Sequence, residues 1–244
     1  MSWKTARVIG RQDWGPRLFS LVLDAAFEPH EPGQFASVAL TVDGARTKRA
    51  YSFASAPGEP PEFYVVAVEG GVLSPALMKL CVGDALEVDA RPHGFFVPSE
   101  LPPSKNLWLF ATGTGLGPYV AMVRDGRIFE RHADIILVHS VREASHLGYR
   151  EELENLAAAD PRFTYLPTLT RESNAGMLSG RIDTLLERGK LESAANRPIE
   201  PASTHVMLCG NPAMLDAMRA RLDARGMRRH RRREPGHVTS ETYW

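Results

Sequence analysis

The chain is poor in the residues that mark a metal, disulfide or membrane protein. Two cysteines in 244 residues, Cys81 and Cys209, cannot build a disulfide framework, nor hold an iron–sulfur cluster by themselves. The eight histidines are scattered without ligand spacing, so no structural metal is expected. No run approaches the ~18 apolar residues of a membrane span. The opening stretch "MSWKTARVIG" has no apolar core of a secretory signal. The expectation is a cytoplasmic protein with reduced thiols and no membrane contact. Net charge is missing too, with 29 basic side chains against 29 acidic ones. That excludes a generally basic nucleic-acid binder. Repeats are absent, and the one biased segment is local. Arg228, Arg229, Arg231, Arg232 and Arg233 crowd together shortly before "EPGHVTSETYW".

What is present reads in two grammars. In residues 1–100, "TARVIGRQ", "LFSLVLD", "FASVALT", "AYSFAS", "EFYVVAVE" and "DALEVDA" are short strand-like runs separated by turns such as "VDGA" and "PGEPPE". Their spacing predicts a small antiparallel barrel, interrupted by one helical segment over 74–80. "VPSELPPSKN" marks a domain boundary. In residues 101–244 the runs "LWLFA", "DIILVHS", "FTYLPTL" and "THVMLC" are continuously apolar, as buried strands are. Helical patterns over 118–124, 149–159, 181–188 and 212–225 alternate with them. This predicts βαβ units and a parallel sheet, whose ligands bind at the carboxyl ends of the strands. The strand character of "HVTSETYW" predicts an edge strand for that sheet.

Those carboxyl ends carry the informative residues. After "LWLFA" comes "TGTGLGP", where Gly113, Gly115 and Gly117 precede Pro118. Glycines let a ligand approach the backbone, and a helix start favours anionic groups. The spacing is not the usual dinucleotide fingerprint and also fits a plain tight turn. Arg142, Arg171 and Arg181 each follow or flank a strand end. Three converging guanidiniums suit a phosphate monoester such as the 2′-phosphate of NADP. Glu143 and Glu172 adjoin two of them, which leaves open the ribose-binding carboxylate of an NAD site. In "CGNPAM", Asn211 is suited to cap a helix opened by Pro212. Cys209 at the strand exit is either a ligand neighbour or a small buried hydrophobe. In the barrel half, Arg49 and Tyr51 share one face of a strand while Ser52 points away. Such a pair fits either a diphosphate with a stacked ring or an exposed cross-strand contact.

"RAYS", "GVLSP", "ATGTGLGP", "VHSVR", "TRE", "SGR", "CGNPAM" and the final "YW", in this order, resemble the bacterial ferredoxin(flavodoxin)–NADP⁺ reductases over nearly the whole chain. The resemblance implies a six-stranded antiparallel FAD-binding barrel followed by a parallel-sheet NADP-binding α/β domain. It implies FAD contacts from Arg49, Ala50, Tyr51, Ser52, Val65, Val66, Val68, Val72, Leu73, Ser74 and Thr112, with Trp244 stacking on the flavin. It implies NADP contacts from Thr112, Gly113, Arg142, Thr170, Arg171, Arg181, Asn211 and Met214. Tyr51, Ser52 and Cys209 would orient the reacting rings. Plant-type relatives place a catalytic glutamate before a terminal tyrosine, and no such acid is assigned here. Glu143 is another departure, at a position where such proteins often carry an aromatic side chain.

The activity implied is electron exchange between NADPH, a two-electron donor, and ferredoxin or flavodoxin, which take one electron at a time. The arginine run is then expected to dock an acidic carrier. The alternative is a related NAD(P)H-flavin reductase serving an oxygenase or another separate acceptor. A nucleic-acid module built on the arginine run is disfavoured by the zero net charge and by the lack of aromatics within the run.

Overall fold

The computed structural model describes residues 2–243. They form two compact units.

The first unit runs to Pro98 and also includes a helix from later in the chain. Its long first strand β1 (Trp3–Gly15) serves two neighbours. Residues 3–7 pair with β6 (Ala85–Asp89), and residues 8–15 with β2 (Leu18–Leu23). Irregular register near Val8 and Asp13 bends the strand between them. β3 (Phe35–Val42) and β4 (Ala45–Ser52) join through Asp43 and Gly44, at φ 50° and 78°. Two left-handed residues make the tight turn that Asp-Gly favours. β4 therefore starts at once after the turn and ends at Ser52, several residues earlier than the run "AYSFAS" suggests.

With β5 (Glu62–Val66), the all-antiparallel sheet has the order β4-β3-β6-β1-β2-β5. Its two edges meet at one end. Phe53 bridges to Phe63, and Ala54 N–H donates to the Glu62 carbonyl at 2.8 Å. The antiparallel barrel expected from the strand spacing is thus closed there. Helix α1 (Leu73–Met78) puts Leu73 and Leu77 into its core with Phe19, Leu21, Val38, Phe53 and Phe63. Helix α2 (Gly117–Asp125) groups with this unit. Its Arg124 makes a 2.5 Å ion pair with Glu62 and donates to the Ala54 carbonyl.

The second unit is a parallel sheet. Its strands are β7 (Asn106–Thr112), β8 (Asp134–Val141), β9 (Phe163–Leu169), β10 (Leu178–Ser179), β11 (Thr204–Gly210) and β12 (Val238–Thr242). The order is β10-β9-β8-β7-β11-β12, so the winding direction reverses between β7 and β11. The helices are α3 (Ile128–Arg131), α4 (Arg150–Ala159), α5 (Ile182–Glu187), α6 (Lys190–Ala195) and α7 (Pro212–Asp223). Trp108, Phe110, Ile136, Val138, Val206 and Leu208 form one face with the apolar sides of α5, α6 and α7. Alternation sends Leu107, Leu109, Leu137, His139, Cys209 and Glu241 to the other face. The short elements α3, α6 and β10 have too few residues to show a period in sequence.

Candidate functional site: the carboxyl ends of the parallel sheet

The reversal of strand order leaves a crevice where β7 and β11 end, the usual ligand position in such sheets. After β7 the chain turns tightly through Gly113–Leu116. Gly113 has φ 53° and open space where a side chain would project. Gly115 lies against the exit of β11, and a Cβ there would sit 2.6 Å from the Cys209 carbonyl oxygen. Thr112 Oγ1 accepts from the Asn211 backbone N–H at 2.8 Å, which ties the two strand ends together. Asn211 Oδ1 accepts from Ala213 N–H at 2.8 Å and Met214 N–H at 3.4 Å. With Pro212 in the first turn, this is the helix cap expected from the sequence.

The arginines follow neighbouring strands. Arg142 and Arg171 follow the adjacent strands β8 and β9, and Arg171 N–H donates to the Arg142 carbonyl at 2.9 Å. β10 pairs with β9, and Arg181 stands two residues beyond it. All three side chains are exposed. Arg181 leans on Asp183 at 3.2 Å, whereas Arg142 and Arg171 have no ion pair among the described residues. Of the two carboxylates left open by the sequence, Glu172 is engaged, accepting from Ala144 N–H at 2.6 Å. Thr170 is exposed beside them and hydrogen-bonds the Val141 carbonyl through its hydroxyl.

Some expected residues lie deeper than their strand-end positions suggest. Cys209 is wholly buried, and desolvation, with Glu241 nearby, raises its thiol well above the ordinary range. It is the small buried hydrophobe of the two alternatives. The Met214 side chain belongs to the core beneath α7. Strand alternation aims Cys209 inward, because a residue at a strand end still obeys the pleat of its strand, and Met214 points inward from the buried side of α7.

Glu241 is what the sequence reading passed over. It pairs in register with Cys209, and burial pushes its carboxyl up to about 7. Alternation along "HVTSETYW" would have found it, since Thr239 and Glu241 share the face opposite Val238 and Ser240. Tyr243 N–H donates to the Gly210 carbonyl at 3.2 Å, so the chain end closes on the same crevice. Trp244 lies outside the described residues.

The arginine run sits at the opposite end of the strands. It precedes β12, hence at the amino end of the sheet, about 13 Å of strand away from Thr242. Arg232 pairs with Glu100 at 2.8 Å and Arg231 with Glu234 at 3.6 Å. Arg228, Arg229 and Arg233 are exposed without an ion pair among the described residues.

In the barrel unit, Arg49 and Ala50 are exposed on β4, Tyr51 is half-buried and Ser52 is buried. Burial raises the Tyr51 phenol to about 12, with Arg49 opposing the shift, so the ring is neutral and next to a cation. Val65 and Leu73 are in the core, Val66 is half-buried, and Val68 and Val72 are exposed. Ser74 Oγ accepts from Val68 N–H at 3.0 Å and closes the loop before α1.

Among the described residues no group of metal-ligating side chains is assembled, and no helix is long and apolar enough to cross a membrane. Residues 109–220 match the oxidoreductase NAD-binding domain family. The chain is 41% identical to the flavodoxin/ferredoxin–NADP reductase of Escherichia coli over 99% of both chains. It is 37% identical to the ferredoxin–NADP reductase of Azotobacter vinelandii over 94% of this chain and 93% of that one. A ferredoxin NADP⁺ reductase from Neisseria gonorrhoeae, solved with bound FAD and NADP, superposes with a TM-score of 0.93 at 28% identity, covering 99% of each chain. The half-barrel, the parallel sheet with its reversed strand order, and this full-length similarity place the chain in the flavodoxin/ferredoxin–NADP reductase family.

Proposed function

We propose that the protein is an FAD-dependent oxidoreductase that exchanges electrons between NADPH and a ferredoxin or flavodoxin. The single observation that carries the NADPH side is the arginine group at the adjoining ends of β8, β9 and β10, with two guanidiniums unpaired. An NAD site would offer a free carboxylate to the ribose hydroxyls. Glu172 is instead bonded to the Ala144 amide, and Glu143, exposed without an ion pair among the described residues, is the carboxylate left beside Arg142.

The residues present suit both cofactors. Arg49 on the open face of β4 matches a diphosphate, and the neutral Tyr51 ring beside it matches a flavin ring. Val66, Val68 and Val72 offer apolar side chains. Val65 and Leu73, being core residues, have only backbone to offer. Ser52 and Ser74 supply hydroxyls, and Trp244 remains a proposed stacking ring. On the parallel unit, Arg142, Arg171, Arg181 and Thr170 would hold the 2′-phosphate. Thr112, Gly113 and the Asn211 turn would take the nicotinamide half. FAD, when bound, supplies the ability to take electrons in pairs and return them singly. The chain's own residues bind, orient and exclude water. Glu241, titrating near neutrality, can hold or release a proton at its carboxyl oxygen as charge passes through the site.

The arginine run keeps a weaker role. Its distance from the crevice exceeds the ~8 Å screening length at physiological salt. It would therefore steer an acidic carrier on approach rather than contact the reacting end. Neutralising Arg228, Arg229 and Arg233 should slow carrier reduction at low salt and change little at 0.15 M. A cytoplasmic location agrees with this reading.

The deciding experiment has two steps. The purified protein should be yellow and release a flavin, and a colourless protein would end the proposal. Arg142→Ala and Arg171→Ala should each raise the KM for NADPH by roughly tenfold or more, the worth of a charge-assisted hydrogen bond, and leave that for NADH nearly unchanged. Equal effects on both donors would remove the 2′-phosphate assignment.

A further inference from the structure

One buried polar side chain at this end of the sheet has no part in the reaction just described. His139 lies on β8, in register with Ala111 of β7, and is wholly enclosed. Its Nε2 is 3.2 Å from the Gly113 carbonyl oxygen, and its Nδ1 is 3.3 Å from the Tyr165 hydroxyl on β9. A carbonyl can only accept, so Nε2 carries the proton and donates it. Nδ1 must then accept, and Tyr165 O–H is the donor. The relay has a single direction, from Tyr165 through His139 to Gly113. Burial supports it by holding the imidazole neutral, with its pKa down to about 4, and by raising the Tyr165 phenol above its ordinary value.

The target of the relay is the peptide that opens the turn after β7. Gly113 is in the left-handed region, has open space around its Cα, and begins the turn that ends β7. Glycine has no Cβ to restrict this conformation, so the bond from His139 adds to the turn's own hydrogen bonding in fixing the peptide. A trans peptide points its C=O and the following N–H in opposite directions. Drawing the Gly113 carbonyl towards His139 therefore turns the Thr114 N–H away from His139. Backbone N–H groups in such turns are what a dinucleotide's phosphates meet.

We infer that His139 is a positioning residue for the nicotinamide dinucleotide, fixing the Gly113–Thr114 peptide through Nε2 with its tautomer set by Tyr165. The inference rests on the NADP reading of this crevice and adds a specific residue to it.

The test uses the flavin-loaded protein and calorimetric binding of two probes, NADP⁺ and 2′-AMP. The smaller probe reaches the arginine group but has no pyrophosphate. His139→Leu should weaken NADP⁺ about tenfold, the usual effect of stranding one buried acceptor, and leave 2′-AMP unchanged. His139→Gln, which can present an N–H near the place of Nε2, should recover most of the loss. Tyr165→Phe keeps the ring and removes only the donor to Nδ1, so it tests the relay even where His139→Leu does not fold. It should weaken NADP⁺ by a few-fold with 2′-AMP unaffected. In turnover the same variants should raise the KM for NADPH more than they lower kcat. Unchanged NADP⁺ affinity in Tyr165→Phe, and in His139→Leu where it folds, would overturn the inference. Equal weakening of both probes would also overturn it, by marking His139 as a general packing residue. Failure of the wild-type protein to bind 2′-AMP would instead strike the NADP reading beneath it.

Discussion

Gly115→Ala is the sharpest probe of how closely β7 and β11 approach. Gly115 is outside the left-handed region, so an alanine there carries no backbone penalty and only the added methyl matters. That methyl would meet the Cys209 carbonyl oxygen at 2.6 Å, the Cys209 carbonyl carbon at 2.8 Å and Gly210 Cα at 2.9 Å. All three are backbone atoms of a buried strand end, so no flexible side chain can yield. Restoring ordinary contact of 3.4 Å requires a displacement of about 0.8 Å, the difference from 2.6 Å. Overpacking of this kind costs about 1–3 kcal/mol. For a chain of this length that lowers Tm by roughly 2–12 °C. The same shift separates Thr112 Oγ1 from the Asn211 amide, so NADP⁺ binding should also weaken. Gly113→Ala is the matched control. It has open space and φ 53°, and should cost only the ~1–2 kcal/mol of a left-handed residue. Scanning calorimetry and NADP⁺ titration on both variants would check this. If Gly115→Ala melts within a degree of the parent and binds NADP⁺ as well, the close approach is not a constraint and the reasoning fails.

Two further outcomes follow from the same crevice and the buried groups around it. Burial lowers His139 to about 4 and His205 to about 3, below the ordinary ~6.5 of an unfolded chain. The unfolded state therefore binds more protons, and their stability, present above about 6.5, is lost as pH falls towards these values. Between pH 7 and pH 5 each removes about 2 kcal/mol. Glu241, raised to about 7, acts with the opposite sign and offsets about one of them. Urea titrations should show a loss of about 2 kcal/mol or more over that interval, since burial also lowers His30 and His132, and a steeper loss in Glu241→Gln; a flat profile would count against the buried neutral histidines. Asn211→Ala removes the cap of α7 and should cost about 1 kcal/mol, while Asn211→Asp should cost little, both measurable by thermal melting.

Much of this molecule is visible in one dimension because its causes are local. The apolar runs of β7, β8 and β11 announce strands buried on both faces, and "NP" announces the start of α7. The turn "DG" sets the β3–β4 hairpin, although the start of β4 becomes clear only once the two-residue turn is seen. Residues whose role depends on side-chain aim were harder to read. Met214 and Cys209 occupy suggestive positions in sequence but point into the core. Glu241 looks like one more polar residue of a tail until the parallel pairing with β11 sets it beside Cys209 and partly out of water.

By itself the sequence determined the order of the elements, the two grammars of strand and helix, and the residue types gathered at the strand ends. Each of these depends on periodicity or on backbone preferences within a few residues. Only the tertiary structure decided what lies next to what. The unpaired Arg142 and Arg171 are neighbours because β8 and β9 are adjacent. The histidine that grips Gly113 comes from the next strand over, 26 residues along the chain. The arginine run, close to Tyr243 in sequence, stands a full strand length from it, because β12 carries the chain from the amino end of the sheet to the carboxyl end.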